Sequence, residues 1–259
     1  MQKFDYDGIL DLLALGTGQW TKPLLRELLA GCVEFKRLRG AHQLLVRLER
    51  KGFLQRRGRG ERATFTIIAS GALKRRDPDP QTSWERTWDG AWRLVTFDIP
   101  EVRRKDRARL WRALRDRKLG LLQRSVWIWP HDLKPILAEI IKAEGIPECF
   151  CGFGARELFL CTNAEVVETA WDFEEISHRQ VAYQLNSAAT IGSLNRSTNL
   201  STLAGVARAE RHAYRYAFSL DPSLPQPLWP KGYRGAAVLK AHREFRRRLQ
   251  EQLRKLVTK

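Results

Sequence analysis

The chain has 259 residues, with 46 Lys or Arg against 29 Asp or Glu, a formal net charge of +17 and a pI near 10.3. A hydrophobic content of 43% with nine Trp is enough for a sizeable core and argues against wholesale disorder. No apolar run reaches bilayer length, and no cationic start leads into an apolar core and a small-residue cleavage site, so the expected location is cytoplasmic, with no membrane partner. A positive excess of this size favours a polyanionic partner, nucleic acid first. The cysteines, Cys32, Cys149, Cys151 and Cys161, contain no Cys-x-x-Cys pair and do not form a disulfide framework. Cys149 and Cys151 alternate on an expected strand and read as small buried hydrophobes rather than metal ligands.

The first two helices are expected over 9–15 and 22–30. On the second, Leu24 and Leu28, and Leu25 and Leu29, are i,i+4 pairs. Thr21 is a suitable N-cap, Pro23 suits the first turn and Gly31 can close the helix. A third helix is expected from about Leu38. Ala41, Leu44, Leu45 and Leu48 recur at i, i+3, i+4 and i+7 and form a stripe for the core. Arg39, Gln43, Val46, Arg47 and Arg50 fall on another face, which offers the guanidinium and amide groups that read base edges in a major groove. Gly52 stops this helix, and 53–55 and 63–68 read as strands around the glycine-bearing tip Arg56-Arg57-Gly58-Arg59-Gly60. A helix followed by a basic hairpin is the layout of a winged helix-turn-helix, a head for double-stranded DNA. Its candidate groove contacts are Arg37, Arg39, His42, Gln43 and Arg47, and its candidate wing contacts are Arg57, Arg59 and Arg62. Arg47 and Arg50 also suit phosphates. Residues 1–76 hold sixteen Lys or Arg and seven Asp or Glu, just over half of the chain's excess charge.

The charged, proline-bearing stretch 74–80 marks a boundary. Beyond it a strand is expected over 92–98. A helix follows over 100–118, with Ala108, Leu110, Trp111 and Leu114 inward and Gly120 at its end. Next come a strand pair over 121–129 hinged near Gln123-Arg124, a helix over 133–143 capped by Asp132, and short strands over 148–153 and 157–161. This order of strands and helices is the ferredoxin-like arrangement, a sheet with two helices on one face. From Ala164 the pattern is helical: a long helix over 165–185 with a break near Ser177-His178, a polar loop over 187–199, and a helix over 200–220. The four prolines of 221–230 forbid regular helix and require the segment to wrap over something. A basic last helix is expected over 235–255. The expected fold is therefore α+β, with a winged-helix domain (1–76), a ferredoxin-like central domain (77–163) and a helical C-terminal domain (164–259).

Four motifs in order, Trp88 to Glu101 (WDGAWRLVTFDIPE), Ser125 to Pro130 (SVWIWP), Ala170 to Glu175 (AWDFEE) and Asp221 to Pro225 with Leu228-Trp229-Pro230 and Tyr233-Arg234-Gly235, resemble the PaaX family of bacterial transcriptional regulators. Arg47-Leu48 with Lys51-Gly52-Phe53-Leu54 is similar to the end of that family's reading helix. The resemblance implies a dimeric repressor of phenylacetate-catabolism type, released from its operator when a small effector, phenylacetyl-coenzyme A in the best-known members, binds. It implies no enzyme and no resident cofactor. The start of the reading helix, Lys36-Arg37-Leu38-Arg39-Gly40, departs from the family, so operator and effector are free to differ.

The rival reading centres on Asp98. The central segment is also similar to the small ferredoxin-like subunit of CRISPR adaptation complexes, in which an Asp after the first strand is associated with metal-dependent nuclease activity. Against this, Asp98 stands three residues before Glu101, the spacing of a capping box. The histidines have no catalytic or metal spacing. Arg93, Arg179, Arg208, Arg211 and Arg215 are available for a phosphate-bearing effector, and the tryptophans read as core residues, some of which can line its pocket.

Overall fold

The computed structural model describes residues 6–16, 19–31, 41–68, 79–145 and 150–257. In chain order these form α1 (Tyr6–Leu15), β1 (Gln19–Thr21), α2 (Lys22–Ala30), α3 (Ala41–Arg50), β2 (Leu54–Arg57), β3 (Thr64–Ile67), α4 (Pro80–Trp84), β4 (Trp92–Phe97), α5 (Arg104–Asp116), β5 (Gly120–Gln123), β6 (Val126–Trp129), α6 (Lys134–Glu144), β7 (Phe150–Ala155), α7 (Asn163–Ala170), α8 (Phe173–Asn195), α9 (Leu200–Ala217) and α10 (Gly235–Val257). The fold is mixed α and β, and it packs as two compact units. One comprises Met1–Pro78, Gln180–Ala217 and Gly235–Lys259, the other Asp79–Arg179 and Phe218–Arg234.

In the first unit the N-terminal elements and the last helices share one core. Leu13, Trp20, Leu25, Leu28, Leu29, Leu45, Leu48 and Phe65 pack in the same cluster as Leu194, Leu200, Leu203, Phe245, Leu249 and Leu253. The three-stranded sheet has the order β1-β3-β2, antiparallel throughout. The sequence reading misses β1, three residues long. It is held by Trp20, which is fully buried and donates its indole N–H to Leu13 O at 3.1 Å. Thr21 stands at the N-cap of α2 but makes no side-chain capping bond. Polar bonds tie the early helices to the late ones. Glu27 Oε1 accepts the Leu200 N–H at 3.0 Å, and Asp11 receives both terminal nitrogens of Arg246, at 2.5 and 3.0 Å. The buried Glu210 accepts from Tyr183 Oη and pairs with His242 Nδ1 at 2.8 Å, while the His242 ring stacks on Tyr214 at 3.7 Å.

In the second unit the order is strand, helix, two strands, helix, strand, and the sheet runs β5-β6-β4-β7, antiparallel throughout. Alternation along the strands fills both faces. Val95, Phe97 and Trp127 meet Leu110, Leu114 and Ile140 of α5 and α6 on one side. Trp92 and Ile128 meet Val166, Val167, Trp171, Leu224 and Leu228 on the other. The proline-rich segment thus wraps over the sheet.

Several expectations need correction. On α5, Ala113 is buried and Ala108 exposed, and α5 ends at Asp116, before Gly120. No strand forms over 157–161, where Phe159 and Leu160 are exposed and Leu160 takes a left-handed φ of 59° that ladder pairing cannot use. Cys151 is exposed rather than buried, and Cys149 lies outside the described residues. The helical break falls at Trp171-Asp172, not at Ser177-His178. Trp171 is extended (φ −133°, ψ 143°), and the Asp172 carboxylate caps α8 by accepting the Glu175 N–H at 2.9 Å. The loop expected over 187–199 is helical as far as Asn195. Its polar side chains bond back to the helix: Ser187 to Gln184 O, Thr190 to Asn186 O and Ser193 to Ala189 O.

Candidate nucleic-acid interface

The third helix carries the two faces its periodicity predicts. Leu45 and Leu48 are buried, while Gln43, Arg47 and Arg50 are exposed. Gly52, at φ +72°, ends the helix, and the Phe53 N–H reaches back to Leu48 O at 2.9 Å, the bonding of a left-handed C-cap. Arg47 and Arg50 stand in the last turn, where the helix dipole favours cations. His42 lies on α3, but its side chain is outside the description, and Arg37 and Arg39 lie outside the described residues.

The hairpin joins β2 to β3 with the register Leu54↔Ile67 to Arg57↔Thr64. Gly58 and Gly60 both take positive φ, +82° and +66°, which is why the tip bears glycine. Arg57, Arg59 and Arg62 are exposed around this tip, and among the described residues none has a carboxylate partner. The acid within the tip, Glu61, is held by α2 instead. Lys22 Nζ lies 2.9 Å and Arg26 Nη1 3.1 Å from its carboxylate, and the Lys22 hydrogen bond, joined by the charge of Arg26, holds the carboxyl below its usual range. Glu61 therefore does not cancel the three tip arginines. It also fixes the hairpin tip against α2.

Asp98 follows β4 and is exposed. The capping box does not form: the Glu101 carboxylate takes Arg107 at 2.9 Å, and the next turn starts at Pro100, whose carbonyl accepts the Arg103 N–H. Among the described residues no three His, Cys, Asp or Glu side chains cluster closely enough to hold a metal ion, and no helix is long and apolar enough to cross a membrane. Of the arginines noted for an effector's phosphates, Arg93 is held by Asp89, Arg179 by Glu175 and Ser219 Oγ, and Arg211 lies 3.7 Å from Asp11.

The model of the PaaX protein central Cas2-like domain matches residues 85–167, and that of the PaaX-like protein C-terminal domain matches residues 171–259. A solved structure, described as an uncharacterized protein Rv0674 from Mycobacterium tuberculosis, is similar with a TM-score of 0.59 and 21% identity over 95% of each chain, and so shares the fold. None of the curated proteins matches the sequence. The WDGAWRLVTFDIPE, SVWIWP and DPSLP motifs all lie inside the two matched stretches, which together span about two thirds of the sequence, and the chain belongs to the PaaX family.

Proposed function

We propose that this chain is a DNA-binding transcriptional repressor of the cytoplasm and not an enzyme. In this reading its head is a winged helix-turn-helix, its central domain is ferredoxin-like, and it acts as a homodimer on a near-palindromic operator. Two-fold protein symmetry then maps onto half-sites one or two helical turns apart. A small effector, an acyl-coenzyme A such as phenylacetyl-coenzyme A, binds the DNA-incompetent arrangement better and empties the operator by population shift. The observation that carries the reading is the exposed Gln43-Arg47-Arg50 face of α3, standing in a head with a hairpin whose tip arginines have no carboxylate partner among the described residues. Family membership supports the regulator class.

Fluorescence anisotropy with DNA from upstream of the protein's own gene, against scrambled DNA, tests it. Binding should prefer the former, and Arg47→Ala or Arg39→Ala should remove about 1–3 kcal/mol of that preference. Equal binding to both DNAs at every salt concentration points to a charge-only scaffold. Magnesium- or manganese-dependent cleavage that disappears in Asp98→Ala points to a nuclease. Either result overturns the repressor reading.

A further inference from the structure

The helix α5, in the second unit, carries six cations, Arg104, Lys105, Arg107, Arg109, Arg112 and Arg115, and two acids, Asp106 and Asp116. Its apolar side is used on the sheet, where Leu110, Ala113 and Leu114 are buried with Val95, Phe97 and Trp127. The cations divide into two sets. Those on the flanks are matched. Arg107 pairs with Glu101 at 2.9 Å, and Arg109 with Asp106 at 3.3 Å and Glu144 at 3.2 Å. Just outside the helix, Arg103 takes Asp106 at 2.8 Å and Arg117 takes Glu139 at 3.7 Å.

The second set is Arg104, Lys105, Arg112 and Arg115. All four are exposed, and among the described residues none has a carboxylate partner. At about 100° per residue they fall, with Ala108, inside an arc of about 100° and form one stripe that runs about 16 Å along the axis. The nearby acids Glu101, Asp106, Glu139 and Glu144 all serve the flanking arginines. Asp116, four residues after Arg112, makes no ion pair with it. A solvated helix face ordinarily intersperses both signs, because like charges three or four residues apart repel. Arg112 and Arg115 stand at that spacing with no paired acid to offset the repulsion, so the stripe is complementary to a polyanion.

Three features choose the polyanion. The stripe is longer than the roughly 12 Å width of a major groove, so its ends can meet phosphates of both bordering strands, and the small Ala108 at its centre lets the helix come close. No stacking ring stands open beside it. Trp111 is half-buried, set edge-on to Trp127 at 5.6 Å and covered by Arg115 at 5.7 Å, whereas single strands are held on open aromatic rings. An anionic membrane takes up an apolar helix face, and that of α5 is buried. Val102, exposed just before the helix, is a single small anchor.

We propose that the Arg104-Lys105-Arg112-Arg115 face of α5 is a second contact for duplex DNA, outside the head, that holds phosphates without regard to sequence. It goes beyond the repressor reading, in which the head alone meets DNA, and it does not depend on an operator.

Fluorescence anisotropy of the full chain on a random-sequence duplex, over a salt series, tests it. Arg104→Gln, Arg112→Gln and Arg115→Gln together keep helix propensity. They should flatten log affinity against log salt by about 2–3, at nearly 0.9 per phosphate, and weaken binding about tenfold or more near 0.1 M salt. Arg107→Gln, Arg109→Gln and Arg117→Gln remove the same charge from the paired set and should change the slope by less than about 1. On the unaltered chain, which covers a variant that misfolds, the duplex should protect Lys105 from reductive methylation read by peptide mass spectrometry. Equal losses in both triple variants, an unchanged slope in the first, or an unprotected Lys105 overturns the proposal. Stronger protection of Lys105 by single-stranded DNA, double-stranded RNA or vesicles of anionic phospholipid than by the duplex overturns it too. If the stripe behaves as stated but the chain does not prefer DNA from upstream of its own gene, the repressor reading falls and the contact stands. If that preference holds while Lys105 stays unprotected, the repressor stands and the contact falls.

Discussion

Gly31 closes α2 where that helix meets α9, and replacing it tests whether the head depends on the late helices. Its backbone is right-handed (φ −74°, ψ −9°), so alanine brings no conformational cost. The added Cβ, however, would lie 2.0 Å from the Ser201 carbonyl oxygen and 3.1 Å from Ala204 Cβ. The first atom is backbone and cannot swing aside, so α2 and α9 must separate by roughly the shortfall from ordinary contact, more than about 1 Å. That separation disturbs packing between Leu28, Leu29 and Leu203 and stretches the Glu27 to Leu200 cap. Overpacking of this kind costs about 1–3 kcal/mol, and the backbone contact places Gly31→Ala at the upper end. Gly205→Ala is the matched control. It sits within α9 on the same junction, its nearest atom is Gly31 O at an ordinary 3.9 Å, and alanine should gain up to about 1 kcal/mol from helix propensity. Calorimetric melting should therefore lower the first unit's transition by about 6–10 °C for Gly31→Ala and raise it by about 2–4 °C for Gly205→Ala. Equal melting temperatures for Gly31→Ala and the parent, or shifts of one sign for both variants, would refute the claim that head and late helices are one body.

Two further outcomes are expected. If Arg57, Arg59 and Arg62 hold phosphates, replacing all three with alanine should reduce the steepness of log affinity against log salt by about 2–3, at nearly 0.9 per phosphate, and leave the ratio of operator to random binding unchanged. A collapse of that ratio would show that the tip reads bases. The second outcome concerns acid. Burial, with Arg86 and Arg93 adding, pushes the His131 imidazolium down to about 4. The folded chain thus stays unprotonated there while the unfolded chain takes a proton below its ordinary value near 6.5. The stability is complete above that value and drains away as pH falls toward 4. After allowance for solvent screening the loss is about 1 kcal/mol by pH 5, and urea titrations of His131→Gln should show a flatter pH dependence. An identical slope in that variant would remove His131 from the account.

Much of the local structure is legible in the sequence because it follows from neighbours a few residues apart. The period of Leu45 and Leu48 marks the buried side of α3, and the glycines of the tip mark its positive φ values. The segment 187–195 is not legible in that way, because Ser187, Thr190 and Ser193 read as loop formers until their hydroxyls are seen returning to the helix's own carbonyls. The strand β1 is too short for any period, and its identity depends on Trp20 finding Leu13. The surroundings of Lys118 are least legible. Lys118 is placed by Trp171 and Phe218, which are 53 and 100 residues away, and no local pattern announces such a meeting. The arginines that composition brings forward, Arg93, Arg179 and Arg211, are instead near internal acids.

The interleaved core of the first unit has a consequence for biosynthesis. Leu25, Leu28 and Leu29 leave the ribosome well before part of the surface that covers them, with Leu203, Phe245, Leu249 and Leu253, is translated. A nascent chain must hold that apolar surface unfinished while the whole sheet unit is made, a state exposed to aggregation and to chaperones. A message cut short before α10 would then yield an unfinished core rather than an independent N-terminal domain.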